Sequence, residues 1–394
     1  MKKNAKHDDS HIGSICRNHF LNWYKFWHFV LCSSFCIMFS EFGKVSESKL
    51  SRSETGVEKN PLNLSASWYI AMLSKELRKK PKAIELFAQS LVAWRDEKGN
   101  PVILERFCSH MGASLALGEV KEGCLQCPFH HWRYDDSGEC VSIPEIDHIP
   151  PTARQAIYVT QERYGYIWVW YGTQTPLFPL PEFPPAEDKQ HYMSLSLTFN
   201  AKTTVLQILE NAYDYRHAVT VHKVPLTSTE VTLLDELPLG VGEQNELRTK
   251  NEASYRILIE SKIKKYGGSI GLLAKVLGLS VETTKGQVDT WPSGHLASFS
   301  NDGKEAYSML QGVTPVGENN TNGHFLFAIK KTSFFLLDIL FYAVFSRLNK
   351  LIFEEDVPIW NTLNNDKGGV YVKHDRPVLK LREFYQSWVD KVKI

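Results

Sequence analysis

Two cysteine–histidine pairs within "CSHMGASLALGEVKEGCLQCPFHHW", residues 108 to 132, limit the fold more than any other feature of the chain. Cys108 and His110 make one pair; after sixteen intervening residues, Cys127 and His130 make the other. Four donors spaced this way converge when each pair sits on a hairpin tip and the tips face each other. The surrounding chain is therefore expected to be antiparallel β structure. A Cys2His2 set suits zinc, but zinc sites of that composition group cysteine with cysteine and histidine with histidine. One of each per loop suits a two-iron cluster, with both cysteines on one iron and both histidines on the other.

The flanking sequence carries the required β signature. "LFAQSLVAWRD" runs into the turn cluster Asp96–Asn100, and "PVILERF" returns as the next strand. "DDSG" closes another hairpin, and the aromatic, β-branched "GYIWVWYG" ends the region near residue 172. The proline-rich "PLFPLPEFPPAE" (176–187) reads as an extended linker. Beyond it the patterns predict a helical stretch around 203–219, strands to about 330, and helices near 334–350 and 376–392. The fold class expected is α+β, with an N-terminal antiparallel β domain at 63–175 and an α+β domain at 176–394.

Composition removes some functions. Lys+Arg total 45 against 44 for Asp+Glu, so the chain lacks the basic surplus of a nucleic-acid binder. The seven cysteines are odd in number and uneven in placement. Cys16, Cys32 and Cys36 precede the globular pattern, whereas Cys108, Cys124, Cys127 and Cys140 crowd one region. That distribution favours a reducing, cytoplasmic compartment with a metal-binding cluster, and it leaves Cys124 and Cys140 as small buried residues. Residues 1–62 read as a poorly defined extension. Their apolar stretch, 20–39, is broken by Asn22, Lys25 and His28, and its clean part is shorter than the roughly 20 residues a span needs. Membrane association through 20–39 is the alternative reading, and no small-x-small cleavage site supports a signal peptide.

About a hundred residues downstream, "ENAYDYRHAVTVH" (210–222) holds a second candidate site. On an ideal helix Asp214 and His217 share a face, about 60° apart, but His217 and His222 diverge by about 140°. Both imidazoles reach one metal only if the helix ends or bulges between them. Two histidines and a carboxylate on one face of iron(II) form the site that activates dioxygen. The carboxylate is sought in "FEEDVPIWN" (353–361), where Glu354, Glu355 and Asp356 all qualify. Acids beside Pro358 also read as a helix N-terminus, and the residues alone leave the choice among the three open.

Cys108, His110, Cys127 and His130, followed by Asn211, Asp214, His217 and His222 and by "EDVPIW", carry a resemblance. Over residues 67–394 the chain resembles the catalytic subunits of Rieske non-heme iron oxygenases, in the branch of ketosteroid 9α-hydroxylases and cholesterol 7-desaturases. The resemblance implies a Rieske [2Fe–2S] cluster on Cys108, His110, Cys127 and His130. It implies a mononuclear iron on His217, His222 and Asp356, within a helix-grip catalytic domain. Asp214 becomes the catalytic bridge that joins His130 of the partner subunit to His217 in a homotrimer. His131 stands where the family usually has glycine and is expected to be a neighbour, not a ligand.

The implied activity is hydroxylation or desaturation, as a mono- or dioxygenase, of an apolar substrate that is aromatic, polycyclic or sterol-like, with O2 as cosubstrate. No glycine-rich nucleotide fingerprint follows a strand, and "GGSIG" (267–271) reads as a loop, so a separate NAD(P)H-dependent reductase, a ferredoxin or both must supply electrons. The apolar stretches 270–279 and 334–345 read as core helices or as walls of a hydrophobic pocket, and Asp338 argues against a transmembrane span there. Two other functions compete: an electron carrier or redox sensor whose second domain is not catalytic, and a zinc-stapled binding module.

Overall fold

The computed structural model describes residues 62–236, 253–264, 281–332, 334–364 and 369–393. The expectations for 1–61, for "GGSIG" and for 270–279 lie outside these residues.

The expected hairpins form. Gln89–Arg95 and Pro101–Glu105 pair antiparallel in a four-stranded sheet with Lys82–Leu86 and Ile157–Tyr158. A second small sheet joins Glu119–Lys121, Cys124–Gln126, Arg133–Tyr134 and Cys140–Ser142, so both cysteine–histidine pairs leave the ends of short strands. In a third sheet Tyr166–Tyr171 runs between Ser67–Leu73 and Thr160–Arg163. All six residues of Tyr166–Tyr171 are buried, which explains why its sequence is continuously apolar and not alternating. On one face Trp170 meets Trp68 edge-on at 5.6 Å and, also edge-on, Phe178 of the linker at 5.1 Å. Phe178, Leu180 and Phe183 are buried in the same cluster as Trp388, so the prolines extend the linker while its apolar residues anchor it. On the other face Ile167, Val169 and Tyr171 enter a core shared with the second half of the chain.

That half is a seven-stranded antiparallel sheet in the order Tyr192–Ala201, Asn320–Lys330, Lys304–Gly317, Gly294–Asn301, Thr283–Trp291, Tyr255–Ile263, Leu226–Leu233. Helices α1 (Val205–Glu210) and α2 (Tyr215–Thr220) follow the first strand. The long α3 (Phe335–Trp360) lies across the sheet, and α4 (Arg376–Val389) docks through Leu381, Tyr385 and Trp388. Phe345 of α3 is fully buried, 5.1 Å from both the Phe327 and Tyr307 rings, a burial worth about 2 kcal/mol. A long helix packed on an antiparallel sheet is the helix-grip arrangement expected, and the chain is α+β.

Two expectations need correction. The helix expected at 334–350 continues ten residues further and holds Pro358 within its last turn, so Glu354–Asp356 lie near a helix C-terminus, not at an N-terminus. Acids there oppose the helix dipole, so a reason beyond helix stability must keep them. The second concerns 334–345, which among the described residues lines no cavity and enters the core fully only at Phe345. Phe345 is buried, but Phe334 to Leu337, Ile339, Leu340 and Tyr342 are exposed. An apolar run shows only that burial is favourable, and those residues remain exposed among the described ones.

Candidate metal centres and active-site cavity

The first centre is built by two turns. Cys108 N–H donates to Ala113 O at 2.9 Å, and Cys127 N–H donates to Trp132 O at 2.8 Å, which folds each loop back on itself. Both cysteines are buried, whereas His110 and His130 stand exposed at the tips with ring centroids 4.7 Å apart. His110 also stacks on Trp132, 4.4 Å away and 5° from parallel. Cys108 Sγ and Ser109 Oγ lie 3.0 and 2.9 Å from the Tyr134 hydroxyl, which pins the first loop to the sheet. Two buried sulfurs behind two exposed imidazoles are the donor set a [2Fe–2S] cluster of the mixed-ligand kind requires. His131 has φ +59°, the left-handed region that glycine occupies at least cost. That geometry accounts for the glycine expected at this position, and the His131 side chain is exposed. Cys124 and Cys140 are free thiols, half-buried and buried.

The second centre depends on a break in a helix. A capping box between Thr204 and Gln207 starts α1, and the chain leaves helical pairing after Glu210. Tyr213 secures the break. Fully buried, its hydroxyl lies 2.6 Å from Thr290 Oγ1 and donates to Tyr255 O at 3.0 Å, while His295 Nε2–H donates to Leu209 O at 3.2 Å. Burial holds His295 neutral, its pKa pushed down to about 3. The short α2 then carries His217 and ends at Thr220, before His222. The helix end that the spacing demanded is present.

His217, His222 and Asp356 each offer one ligand atom, all within 4.8 Å of one another. His217 donates Nδ1–H to the Asp214 carbonyl, and His222 donates Nδ1–H to Glu355 Oε2 at 2.8 Å. Both Nε2 atoms are thereby left without a proton; the Asn211 amide donates to that of His217 at 3.2 Å, and Asp356 lies 3.2 Å from that of His222. That nitrogen is buried and makes no hydrogen bond. A buried acceptor without a donor is costly unless a cation fills the space, so the residues fit a divalent metal. Burial draws the His217 imidazole below its ordinary pKa. Burial acts on His222 in the same sense, but the carboxylates of Asp356 and then Glu355 beside its ring outweigh it and raise the value.

The structure separates the three acids. Asp356 is buried and joins the histidines; Glu355 reaches His222 from behind; Glu354 is exposed. The role of Glu355 escaped the sequence reading, which had it only as an alternative ligand. Asn211 was visible as part of the motif, but its position was not: its amide lies 3.2 Å from both His217 Nε2 and Asp356 Oδ2. Asp214 is exposed, its carboxylate accepts from Arg216 N–H at 3.1 Å as the α2 cap, and it meets His217 through its main-chain carbonyl.

The three converging residues form one end of a cavity of about 320 Å³. Phe299, Phe325, Phe327, Phe353 and Trp360 supply aromatic walls, and Ser261, Gln311 and Asn349 place a few polar groups among them. α3 contributes the wall from Asn349 to Trp360, beyond the stretch expected to do so.

Glu355→Ala is expected to lower Fe(II) affinity at this centre about 10- to 100-fold, because the His222 ring loses the acceptor that fixes its tautomer. Metal titration followed by iron analysis checks it, with the visible spectrum of the first centre unchanged. Glu355→Gln, which keeps an oxygen acceptor, should recover most of the loss.

Comparison with known proteins matches each half of the chain to a family. Residues 67–155 match the family described as Rieske [2Fe-2S] domain, and residues 167–389 match the 3-ketosteroid 9alpha-hydroxylase C-terminal domain. The aminopyrrolnitrin oxygenase PrnD of Pseudomonas fluorescens is 40% identical over 357 residues, covering 89% of this chain and 98% of that protein. The cholesterol 7-desaturase of Bombyx mori is 27% identical over 340 residues, 81% of this chain and 68% of the other. Among solved structures, dicamba monooxygenase bound to dicamba superposes with a TM-score of 0.65 at 19% identity, over 83% of this chain and 97% of that one, a likeness of fold.

Proposed function

We propose, because the chain belongs to the Rieske non-heme iron oxygenases, that it oxidises an apolar, ring-containing molecule held in the cavity beside His217, His222 and Asp356. Cys108, His110, Cys127 and His130 would hold the [2Fe–2S] cluster, and His217, His222 and Asp356 the mononuclear iron. When bound, the cluster supplies electrons one at a time and the iron supplies the place where O2 is activated. The observation that carries the reading is that the three putting forward ligand atoms also wall the cavity.

The chain's own residues prepare that site. Glu355 and the Asp214 carbonyl hold the Nδ1 protons of His222 and His217, so both Nε2 atoms face inward. The phenylalanine and tryptophan walls exclude water and favour a flat, apolar ring, while Gln311, Asn349 and Ser261 orient it through a few hydrogen bonds. Relatives named for aminopyrrolnitrin and for cholesterol both act on ring systems, which supports the substrate class.

The division of labour follows the domains, 63–175 for the cluster and 176–394 for the iron, with 1–62 as an extension. Electrons come from a separate reductase or ferredoxin, and the cytoplasm is the compartment in which such carriers and free thiols coexist. A homotrimer is the assembly. In support, His110 and His130 are exposed beside Met111 and Phe129, and Asp214 is exposed as well. Asp214 can thus touch His217 through its carbonyl and His130 of the partner subunit through its carboxylate.

Purified protein should contain iron and acid-labile sulfide at about three to two. With a surrogate reductase it should consume O2 only when an apolar ring compound is present. Iron equal to sulfide, with no coupled uptake, would leave an electron carrier. Zinc without sulfide would leave a binding module.

A further inference from the structure

Phe334 to Leu337, Ile339, Leu340 and Tyr342 project from the first turns of α3, with Phe335 75% and Leu336 78% exposed. A monomer seldom leaves so dense an apolar group in water without a use. The acid of this segment is withdrawn from it: Asp338 is buried, and its Oδ1 accepts from Thr332 N–H at 2.7 Å. Charge enters further along. At 100° per residue, the exposed Arg347 and Lys350 fall on the same outward strip as Leu336, Ile339 and Leu340. Exposed Lys331 precedes the helix, and Lys330 is answered by Glu305 at 2.7 Å. The first acid on the strip, Glu354, comes about 20 Å beyond Leu340.

We propose that this strip docks on an anionic lipid surface. Its apolar end enters the boundary between headgroups and acyl chains, and Lys331, Arg347 and Lys350 meet the headgroups. Among the described residues no helix is long and apolar enough to cross a membrane, which fits a helix that lies on one. Charge decides between lipid and a second copy of the chain. Lipid phosphates complement the three cations, whereas a second copy that met the strip face to face would bring the same cations and no acid within the patch. The other half of the same helix walls the cavity, so docking sets the cavity beside a phase in which apolar molecules concentrate. That consequence rests on the proposed function; the docking itself does not.

The test is sedimentation of the full-length, cluster-loaded protein with phosphatidylcholine vesicles that contain about one-third phosphatidylglycerol. Binding should weaken as salt rises. Phe335→Glu with Leu336→Glu should lower affinity at least about tenfold while leaving the visible spectrum and elution volume unchanged. Arg347→Glu with Lys350→Glu should lower binding to the anionic vesicles but not to pure phosphatidylcholine. Absence of vesicle binding by the unaltered protein would overturn the proposal, as would binding that neither pair of substitutions weakens. A shift in elution volume for the Phe335/Leu336 pair would assign the strip to a second copy instead. Vesicle binding is read without turnover, so its failure is distinct from failure of the oxygenase reading.

Discussion

Asp356→Ala is expected to lose the mononuclear iron, with affinity down by more than about a hundredfold and turnover abolished, while the cluster and its visible spectrum persist. The size follows from position. Asp356 is 5% exposed, its Oδ1 faces His222 Nε2 at 3.2 Å, and it contributes the only anionic donor among the three residues whose ligand atoms converge. Even partners that stand behind a ligand change metal affinity 10- to 100-fold, so removal of a charged ligand should exceed that. The fold should tolerate the change, because the carboxylate lies near the C-terminus of α3, where the helix dipole opposes it. Thermal unfolding without metal should therefore hold or rise. Iron analysis beside sulfide analysis separates the two centres. Wild-type iron content in Asp356→Ala would transfer the ligand role to Glu355, the other acid that reaches His222.

The contrast between these acids shows how far residues alone could lead. The placing of Cys108, His110, Cys127 and His130 on two turns with the imidazoles close together was legible because a short loop fixes both spacing and direction. His217 and His222 were legible as a condition: one metal demanded a helix end, and α2 supplies it at Thr220. The acid that converges with them was not. Pro358 suggested a helix start, yet it sits in the last turn of a 26-residue helix, where one lost hydrogen bond is tolerated near an end. Helix rotation then sends neighbouring acids to different places, so Asp356 joins the metal site and Glu355 the back of an imidazole. The cavity was invisible for another reason. Phe299, Phe325 and Phe353 meet through strand register and helix packing, which no local pattern records. The start of α3 shows the reverse error, since an apolar run signals a preference for burial without saying what provides it.

Asp214→Asn is expected to lower turnover about a hundredfold while both metal centres stay loaded. The substitution is nearly isosteric. Its side-chain oxygen can still accept from Arg216 N–H and cap α2, and the main-chain carbonyl that holds His217 Nδ1–H is untouched. Iron content, sulfide content and thermal stability should therefore match the unaltered protein. What changes is charge on an exposed carboxylate, and within a single chain an exposed charge at a helix cap is worth little. A large kinetic loss thus requires Asp214 to be enclosed by something else, and His130 of the partner subunit is the group proposed to enclose it. An imidazole that accepts an electron at its metal becomes a better proton acceptor, and a carboxylate tracks that change where an amide cannot. Single-turnover experiments distinguish the step. O2-dependent conversion of bound substrate by protein reduced at both centres beforehand should slow by the full factor. Hydrogen peroxide, which brings oxygen together with both reducing equivalents (RH + H2O2 → ROH + H2O), should still convert bound substrate at a near-normal rate. Multiple turnover that remains near wild type in Asp214→Asn would remove the residue from the path between centres and leave it as the cap of α2.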